Sequence, residues 1–423
     1  MRRKFTLPIW LILLFVSTDL FAQAECDGIR YRQEIFPNLN VTTDLSYGSN
    51  IDLQGNNLDL KLDVYEPQGD TVSLRPLIVW AHGGSFVGGS KDQGDVVAMA
   101  EPFARMGYVS ASIQYRLGMA GLPFPGPDSA DATESVLRAV HDAKAAVRYF
   151  YKDVRENGNT FNIDTSRIYF GGISAGAFIG LHYAYLDDMS EFPSYIDTMQ
   201  AGLAGGLEGE SGNPGYSTDI QGVINICGAL KDTSWMKSGD LPVVSLHGPD
   251  DQIVPYGSQL LTLFLYPIIE VDGSESVHER AVEKGISTCF FTYDGQGHTP
   301  HVGSAAYTDT TVNIIRNFIY EWVCGSGGSC GYSPITDRTQ PKNLGSLNFW
   351  PNPADETLSI QMPEGFQGEY DVQLIDLNGR IVQAKNSLQR TQLSLRRDGL
   401  PAGLYFLRIN TERGFYTGKV IFR

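Results

Sequence analysis

The stretch from Arg167 to Ala177 constrains the fold of this chain more than any other. Arg167-Ile168-Tyr169-Phe170 is a short β-branched and aromatic run with the composition of a buried strand. Gly172-Ile173-Ser174-Ala175-Gly176 follows at once, and the small and apolar residues after it can open a helix. So sharp a turn from strand to helix forces strained backbone angles on the residue at the bend, here Ser174. Glycine on either side lets neighbouring chain pass without a Cβ clash. The hydroxyl is thereby pushed out above a sheet edge, with a helix N-terminus beneath it. A G-x-S-x-G pattern also arises by chance, as an ordinary glycine-rich turn, so its meaning rests on the partners the rest of the chain supplies.

Around this stretch the pattern alternates between strand and helix. Leu58 to Tyr65 alternates strictly, which predicts a half-buried, edge-type antiparallel strand. Leu77 to Ala81 is an uninterrupted apolar strand that runs into His82-Gly83-Gly84-Ser85-Phe86. Asp95 to Met106 has helical periodicity and stops at Gly107, and Tyr108 to Tyr115 is the next strand. Val136, Val140, Ala143 and Val147 mark one buried helix face. Residues 187–217 are rich in Gly, Ser and acids and read as an insertion over the sheet edge. Asp219 to Cys227, Leu241 to Leu246 and Thr288 to Tyr293 are three further strands, and Thr310 to Val323 is a closing amphipathic helix. This order predicts an α/β fold, a mainly parallel sheet with helices on both faces and right-handed crossovers.

The ends of the chain read differently. Arg2-Arg3-Lys4, the apolar run Leu7 to Val16 and Phe21-Ala22-Gln23-Ala24 predict a signal peptide over 1–24. The apolar run is too short to cross a bilayer, and no other stretch reaches 18 apolar residues, so no transmembrane segment is expected in the mature protein. Gly325-Ser326-Gly327-Gly328-Ser329 opens a linker over 325–343, which leaves 25–324 as the first domain. Residues 344–423 switch to short alternating runs with an Asn378-Gly379 turn, which predicts a small all-β sandwich. Of the five cysteines, Cys324 and Cys330 flank the Gly/Ser loop and read as a bridge, whereas Cys227 and Cys289 read as core residues. The net charge of −16 argues against a nucleic-acid partner, and no Cys/His spacing suggests a metal site.

The partners of Ser174 come downstream. A serine hydroxyl attacks only if a base takes its proton and a third group orients that base. Ser245-Leu246-His247-Gly248-Pro249-Asp250-Asp251 puts carboxylates just past a strand end, and Asp294-Gly295-Gln296-Gly297-His298 places an imidazole on a glycine-flanked loop. The order Ser, Asp, His, each beyond a parallel strand, lets the three groups converge at one sheet edge. Gly83, Gly84 and Ala175 are the candidate amide donors to charge developing on a substrate oxygen. His82, Ser85, Phe86, Tyr115 and His301 are candidate pocket residues, with His82 also readable as a residue that holds the glycine loop, Tyr115-Arg116 equally readable as buried packing and His301 as a solvated side chain. The stretch from Met119 to Pro127 reads either as a pocket wall or as a cover for the sheet edge. His247 reads as structural, beneath the acid loop.

Together, His82-Gly83-Gly84-Ser85-Phe86, Tyr115-Arg116-Leu117, Gly172 to Gly176, Asp251-Gln252-Ile253-Val254-Pro255 and Gly297-His298 resemble the α/β-hydrolase carboxylesterases, in particular HGG-type and bacterial feruloyl-esterase-like enzymes. The resemblance implies the α/β-hydrolase fold and Ser174 as nucleophile, His298 as base and Asp251 as its orienter. It further implies an oxyanion hole at Gly83, Gly84 and Ala175, and no cofactor. Counting back from Val254-Pro255 selects Asp251 over Asp250, and the preceding glycine selects His298 over His301. Phe349-Trp350-Pro351-Asn352-Pro353-Ala354, Leu377-Asn378-Gly379-Arg380, Leu400 to Tyr405 and Gly418-Lys419-Val420 resemble the type IX secretion system sorting domain. That resemblance implies the secretion machinery as a partner and a secreted or cell-surface location. The expected function is ester hydrolysis, with acetyl or feruloyl esters of plant polysaccharides as substrates. The rival readings are a prolyl-oligopeptidase-like serine peptidase and a catalytically silent adhesion or binding protein on the same fold.

Overall fold

The computed structural model describes residues 26–325 apart from 264, and residues 343–423 apart from 364, 365, 367, 376–380, 412 and 413. The predicted signal peptide and nearly all of the predicted linker, with Cys330 and the Asn378-Gly379 turn, lie outside the described residues. The chain divides into two compact units, Met1–Tyr332 and Ser333–Arg423.

The first unit runs β1 (Leu39–Ile51), β2 (Asn57–Pro67), β3 (Arg75–Ala81), α1 (Gly94–Arg105), β4 (Val109–Ile113), α2 (Ser129–Glu156), β5 (Ile163–Ile173) and α3 (Ala175–Tyr185). It continues with β6 (Val223–Ile226), β7 (Ala229–Leu230), β8 (Val243–His247), β9 (Ser258–Leu263), β10 (Tyr266–Gly273), α4 (Ser274–Lys284), β11 (Thr288–Thr292) and α5 (Ala305–Cys324). Eight strands form one sheet in the order β1-β2-β4-β3-β5-β6-β8-β11. It is parallel from β4 to β11 and antiparallel at β1-β2 and β2-β4. This is the α/β-hydrolase architecture.

Why the central strands are apolar throughout is visible in β3, all seven of whose residues are buried. Leu77, Val79 and Ala81 join one hydrophobic cluster, with Ala143, Val147 and Phe150 of α2 and Ile179 of α3. Ile78 and Trp80 join the other, with Val96, Met99 and Phe103 of α1 and Ile315 and Ile319 of α5. Alternate residues of one strand thus feed two cores on opposite faces, which is how a sheet covered on both sides buries itself. α2 starts where the Asp128 carboxylate accepts the amides of Ala130 and Asp131, satisfying donors that a helix end leaves open.

Two expectations are corrected. β2 is not the edge strand, because β1 pairs along its outer side. β1 is mostly exposed, so it lacked the hydrophobic alternation that would have announced it. Cys324 bonds Cys26 rather than Cys330, closing a separation of 298 residues. Cys289 lies in the core as expected, but as a disulfide-bonded residue rather than a free thiol, leaving Cys227 as the buried free cysteine among the described residues. The 187–217 insertion carries only a single 3-10 turn, Met189–Glu191. It is tied down by polar contacts: Arg116 donates to the Gly202 carbonyl and to Ser211 Oγ, and Lys144 and Arg148 pair with Glu208.

The second unit packs a five-stranded sheet against a three-stranded one. The first has the order β12 (Asn343–Ser346), β19 (Gly414–Phe422), β18 (Gly403–Thr411), β15 (Tyr370–Ile375), β16 (Ile381–Leu388). The second has the order β13 (Asn348–Trp350), β14 (Thr357–Gln361), β17 (Gln392–Arg396). Leu358, Ile360, Val372, Leu374, Leu395, Leu407 and Ile409 fill the space between them. Among the described residues no helix is long and apolar enough to cross a membrane.

Arg116 and Asp142 form an ion pair whose side chains are wholly buried, and the guanidinium also reaches the carbonyls of Ile51 and Arg138. Breaking one side of such a pair strands the other charge, at a cost of about 3–5 kcal/mol. Arg116→Met is therefore expected to lower unfolding free energy by that amount in urea titration, with early proteolysis within the insertion.

Candidate active site

Ser174 sits between β5 and α3 with φ 55° and ψ −116°, a conformation rare for a residue with a side chain. The flanking glycines are demanded by proximity rather than by φ. A Cβ on Gly172 would lie 2.0 Å from the Gly176 carbonyl, and one on Gly176 would lie 2.1 Å from the Ala81 oxygen. The first turn of α3 can therefore sit directly on the end of β3.

Three strand ends bring the polar groups together: β5 delivers Ser174, β8 leads to Asp251 and β11 to His298. The Ser174 hydroxyl donates to His298 Nε2 at 2.9 Å, and His298 Nδ1–H donates to Asp251 Oδ2 at 2.6 Å. Asp251 Oδ1 accepts the amides of Ile253 and Val254 at 2.8 and 2.9 Å. Asp250 is exposed. A fourth donor to Asp251 is His247, expected as a structural residue beneath the acid loop: its Nε2–H reaches Oδ2 at 2.9 Å. Its Nδ1 accepts from the Ser274 hydroxyl at 2.8 Å, whose oxygen accepts in turn from Asn225. Fully buried His247 thus needs a proton on Nε2, since an unprotonated nitrogen would face the carboxylate. The signal for this lay in the His247-Gly-Pro-Asp-Asp251 spacing, four residues across a tight turn. Burial opposes ionisation of Asp251, but hydrogen bonds from His247 and His298 outweigh it and hold the carboxyl well below the usual range.

Two cavities meet at Ser174. An apolar one is lined by Ser85, Phe86, Ala175, Phe178 and Trp235 among others. A polar one is lined by Gly83, Gly84, Asp95, His298 and His301. His82 and Tyr115, expected in the pocket, line neither cavity. The His82 ring is fully buried and stacked on Tyr115 with centroids 4.3 Å apart. His82 Nδ1–H donates to the Gly83 carbonyl, and the Tyr115 hydroxyl donates to the His82 carbonyl. These two side chains hold the loop from behind. Gly83 is corrected as well: its N–H donates to Asp95 Oδ2 at 3.0 Å, so it is not a free oxyanion donor. Gly84 N–H has no partner among the described residues, and that of Ala175 is the first of α3, without an intrahelical acceptor.

Cys227 follows β6 with φ 54°, and its sulfur lies with ligand atoms of Asp251 and His298, all within 4.8 Å of one another. Burial pushes its thiol up to about 12. It is therefore protonated at neutral pH, neither a nucleophile nor a good metal ligand.

Comparison with known proteins bears on the two domains of the chain. Residues 62–228 match the BD-FAE family model, a span that includes Gly84 and Ser174 but ends before Asp251 and His298. Residues 348–423 match the secretion system C-terminal sorting domain. Carboxylesterase 3 of Homo sapiens is 33% identical over 121 residues, 28% of this chain and 19% of that protein. Gut esterase 1 of Caenorhabditis briggsae is 30% identical over 148 residues, 35% of this chain and 24% of that protein. The chain thus spans about a quarter or less of the length of these curated relatives. Esterase 2 of Thermogutta terrifontis, solved after phosphorylation by paraoxon, aligns at 20% identity over 68% of this chain and 96% of that one, with a TM-score of 0.48.

Because the folded state depresses the Asp251 carboxyl, it contributes stability above the ordinary value of 3.8, lost as pH falls through the lower folded value. His247→Phe removes one donor from the carboxylate and one partner from Ser274, so about 1–3 kcal/mol of stability should be lost at pH 7. In denaturant titrations the gap to the wild type should narrow towards pH 3. His247→Gln, which restores an N–H near the same place, should recover part of it.

Proposed function

From a chain that joins an esterase-type α/β-hydrolase domain to a secretion-system sorting domain, we propose a secreted or cell-surface hydrolase of carboxylic esters. In this reading Ser174 is the nucleophile, His298 the general base and Asp251 the group that orients it. The observation that carries the reading is the continuous hydrogen-bond path from Ser174 Oγ through His298 to Asp251. It is the arrangement that an activated serine needs.

In this mechanism Ser174 Oγ attacks the ester carbonyl carbon while His298 Nε2 takes the hydroxyl proton. Negative charge moves onto the carbonyl oxygen, which the amides of Gly84 and Ala175 receive. The tetrahedral centre collapses, the carbon–oxygen bond to the alcohol breaks, and His298 returns the proton to the departing oxygen. Water, deprotonated by the same imidazole, then attacks the acyl-enzyme, releasing the acid and restoring Ser174. Asp251, held by four hydrogen bonds, fixes the imidazole orientation and stabilises its positive charge at each proton transfer.

The sorting domain supports export by the type IX machinery, its expected partner. Export outside the cell makes esters attached to plant polysaccharides, acetyl or feruloyl, the natural class to test. Ser174→Ala should reduce kcat/KM for p-nitrophenyl butyrate by more than about 10³-fold while the melting temperature changes little. Asp251→Asn should reduce kcat by about 10²–10⁴-fold with little change in KM. Purified wild type that is folded yet hydrolyses no ester would overturn the reading.

A further inference from the structure

The two cavities at Ser174 differ in chemistry, and the proposed mechanism assigns each to one half of the ester; the inference rests on that mechanism. The alcohol oxygen must leave with the proton held at His298 Nε2. His298 lines the polar cavity and does not line the apolar one. The alcohol therefore departs on the polar side, and the acyl group bonded to Ser174 beside Ala175 lies in the apolar cavity.

The apolar cavity is walled by Phe86, Phe178, Leu186, Trp235, Leu263 and Val271. Away from the Ser85–Ser174 mouth, His182, Lys231 and Thr133 in its wall are already engaged. His182 Nδ1–H donates to the Phe178 carbonyl, and its Nε2 accepts from the Lys231 amide. The Lys231 ammonium donates to the Glu270 carbonyl and the Thr133 hydroxyl to that of Ser129. A polar substituent on the acid would give up water there without replacement. The space open to a water-sized sphere is about 80 Å³. That is several times what a single water needs, so the cavity admits an acyl chain longer than acetyl. An acetyl group would leave most of it empty and a feruloyl group would bring polar oxygens into it, so of the polysaccharide esters to be tested neither fits it as well as an aliphatic acyl chain.

On the polar side His301 is 2% exposed, and neither ring nitrogen has a hydrogen-bond partner. Burial lowers its pKa to about 4, so at neutral pH the ring offers one donor and one acceptor. Its charged neighbours are engaged elsewhere: Asp95 accepts the Gly83 and Val96 amides, and His298 bridges Ser174 and Asp251. The unmet hydrogen bonds of His301 call for a hydroxyl close to the departing oxygen.

We propose that the site selects esters joining an unsubstituted aliphatic acid longer than acetic acid to a hydroxyl-bearing alcohol such as a polyol or sugar. The cavity walls select the acid and His301 the alcohol.

The test uses the full mature chain and two substrate series. Among p-nitrophenyl esters from acetate to decanoate, kcat/KM should rise by up to about fourfold per methylene. It should peak on an ester longer than acetate, at least tenfold above it. Ala132→Phe, which projects a ring into the acyl cavity from α2, should lower the hexanoate-to-acetate ratio at least tenfold. In the second series, glyceryl monohexanoate should be preferred to ethyl hexanoate, and His301→Phe should cut that preference at least fivefold. Hydrolysis that is sensitive to Ser174→Ala but fastest on acetate would overturn this inference and leave the hydrolase reading intact. A glyceryl preference unaffected in a folded His301→Phe variant would overturn the assignment of the alcohol side. Absence of hydrolysis on every ester would overturn both readings.

Discussion

The approach of Gly176 to the Ala81 carbonyl is the contact on which the rest of the site depends. No side chain fits there, since a Cβ would stand 2.1 Å from that oxygen and 2.8 Å from the oxygen of His82. Because the backbones nearly touch, the first turn of α3 sits where β3 turns into the Gly83-Gly84 loop. One close approach thus sets Ser174 at the bend, Ala175 at the helix N-terminus and Gly84 on the adjacent loop. The loop is fixed from its other side by the stacked His82 and Tyr115 rings and by Asp95 on the Gly83 amide. The two unpartnered amides therefore hold their directions before any substrate arrives, which is what makes such donors effective.

Asp251 is fixed by the same logic of complete hydrogen bonding. Two backbone amides take one oxygen and two imidazoles take the other. Of the two imidazoles, His247 is fully buried and tied through Ser274 to Asn225 on β6, whereas His298 stands at the cavity surface. One histidine thus anchors the carboxylate to the sheet while the other connects it to the serine. A carboxylate satisfied on all sides has little freedom to rotate away from His298.

The sequence made legible whatever depends on local pattern. The apolar runs of β3, β5 and β8 are buried on both faces, so they announce themselves without alternation, and Ser174 and Asp251 each follow such a strand, while His298 follows the half-buried edge strand β11. Features that depend on distant partners were not legible. β1 is largely solvent-exposed, and the β9–β10 hairpin that walls the apolar cavity lies in a separate small sheet with β7. Cys26 and Cys324 pair across almost the whole first unit, while adjacency along the chain pointed to Cys330. Gly83 looked like a donor because it follows a strand, yet the carboxylate that occupies its amide arrives from α1, twelve residues later.

Backbone strain explains why so much of the fold is devoted to holding this one edge. Ser85, Phe86, Ser174, Cys227 and Thr299 all have positive φ without being glycine, and all lie beside the meeting point of the two cavities. At about 1–3 kcal/mol each, their combined cost approaches the net stability of a typical domain. Such a set persists only where surrounding contacts over-determine it. Two cores on opposite faces of the sheet, the buried Arg116–Asp142 pair and the Cys26–Cys324 bridge provide that surplus away from the site. The rigidity of the scaffold and the strain at the site are thus two sides of one balance. Relaxing the strained residues would stabilise the chain while moving the Ser174 hydroxyl and the two amides out of register.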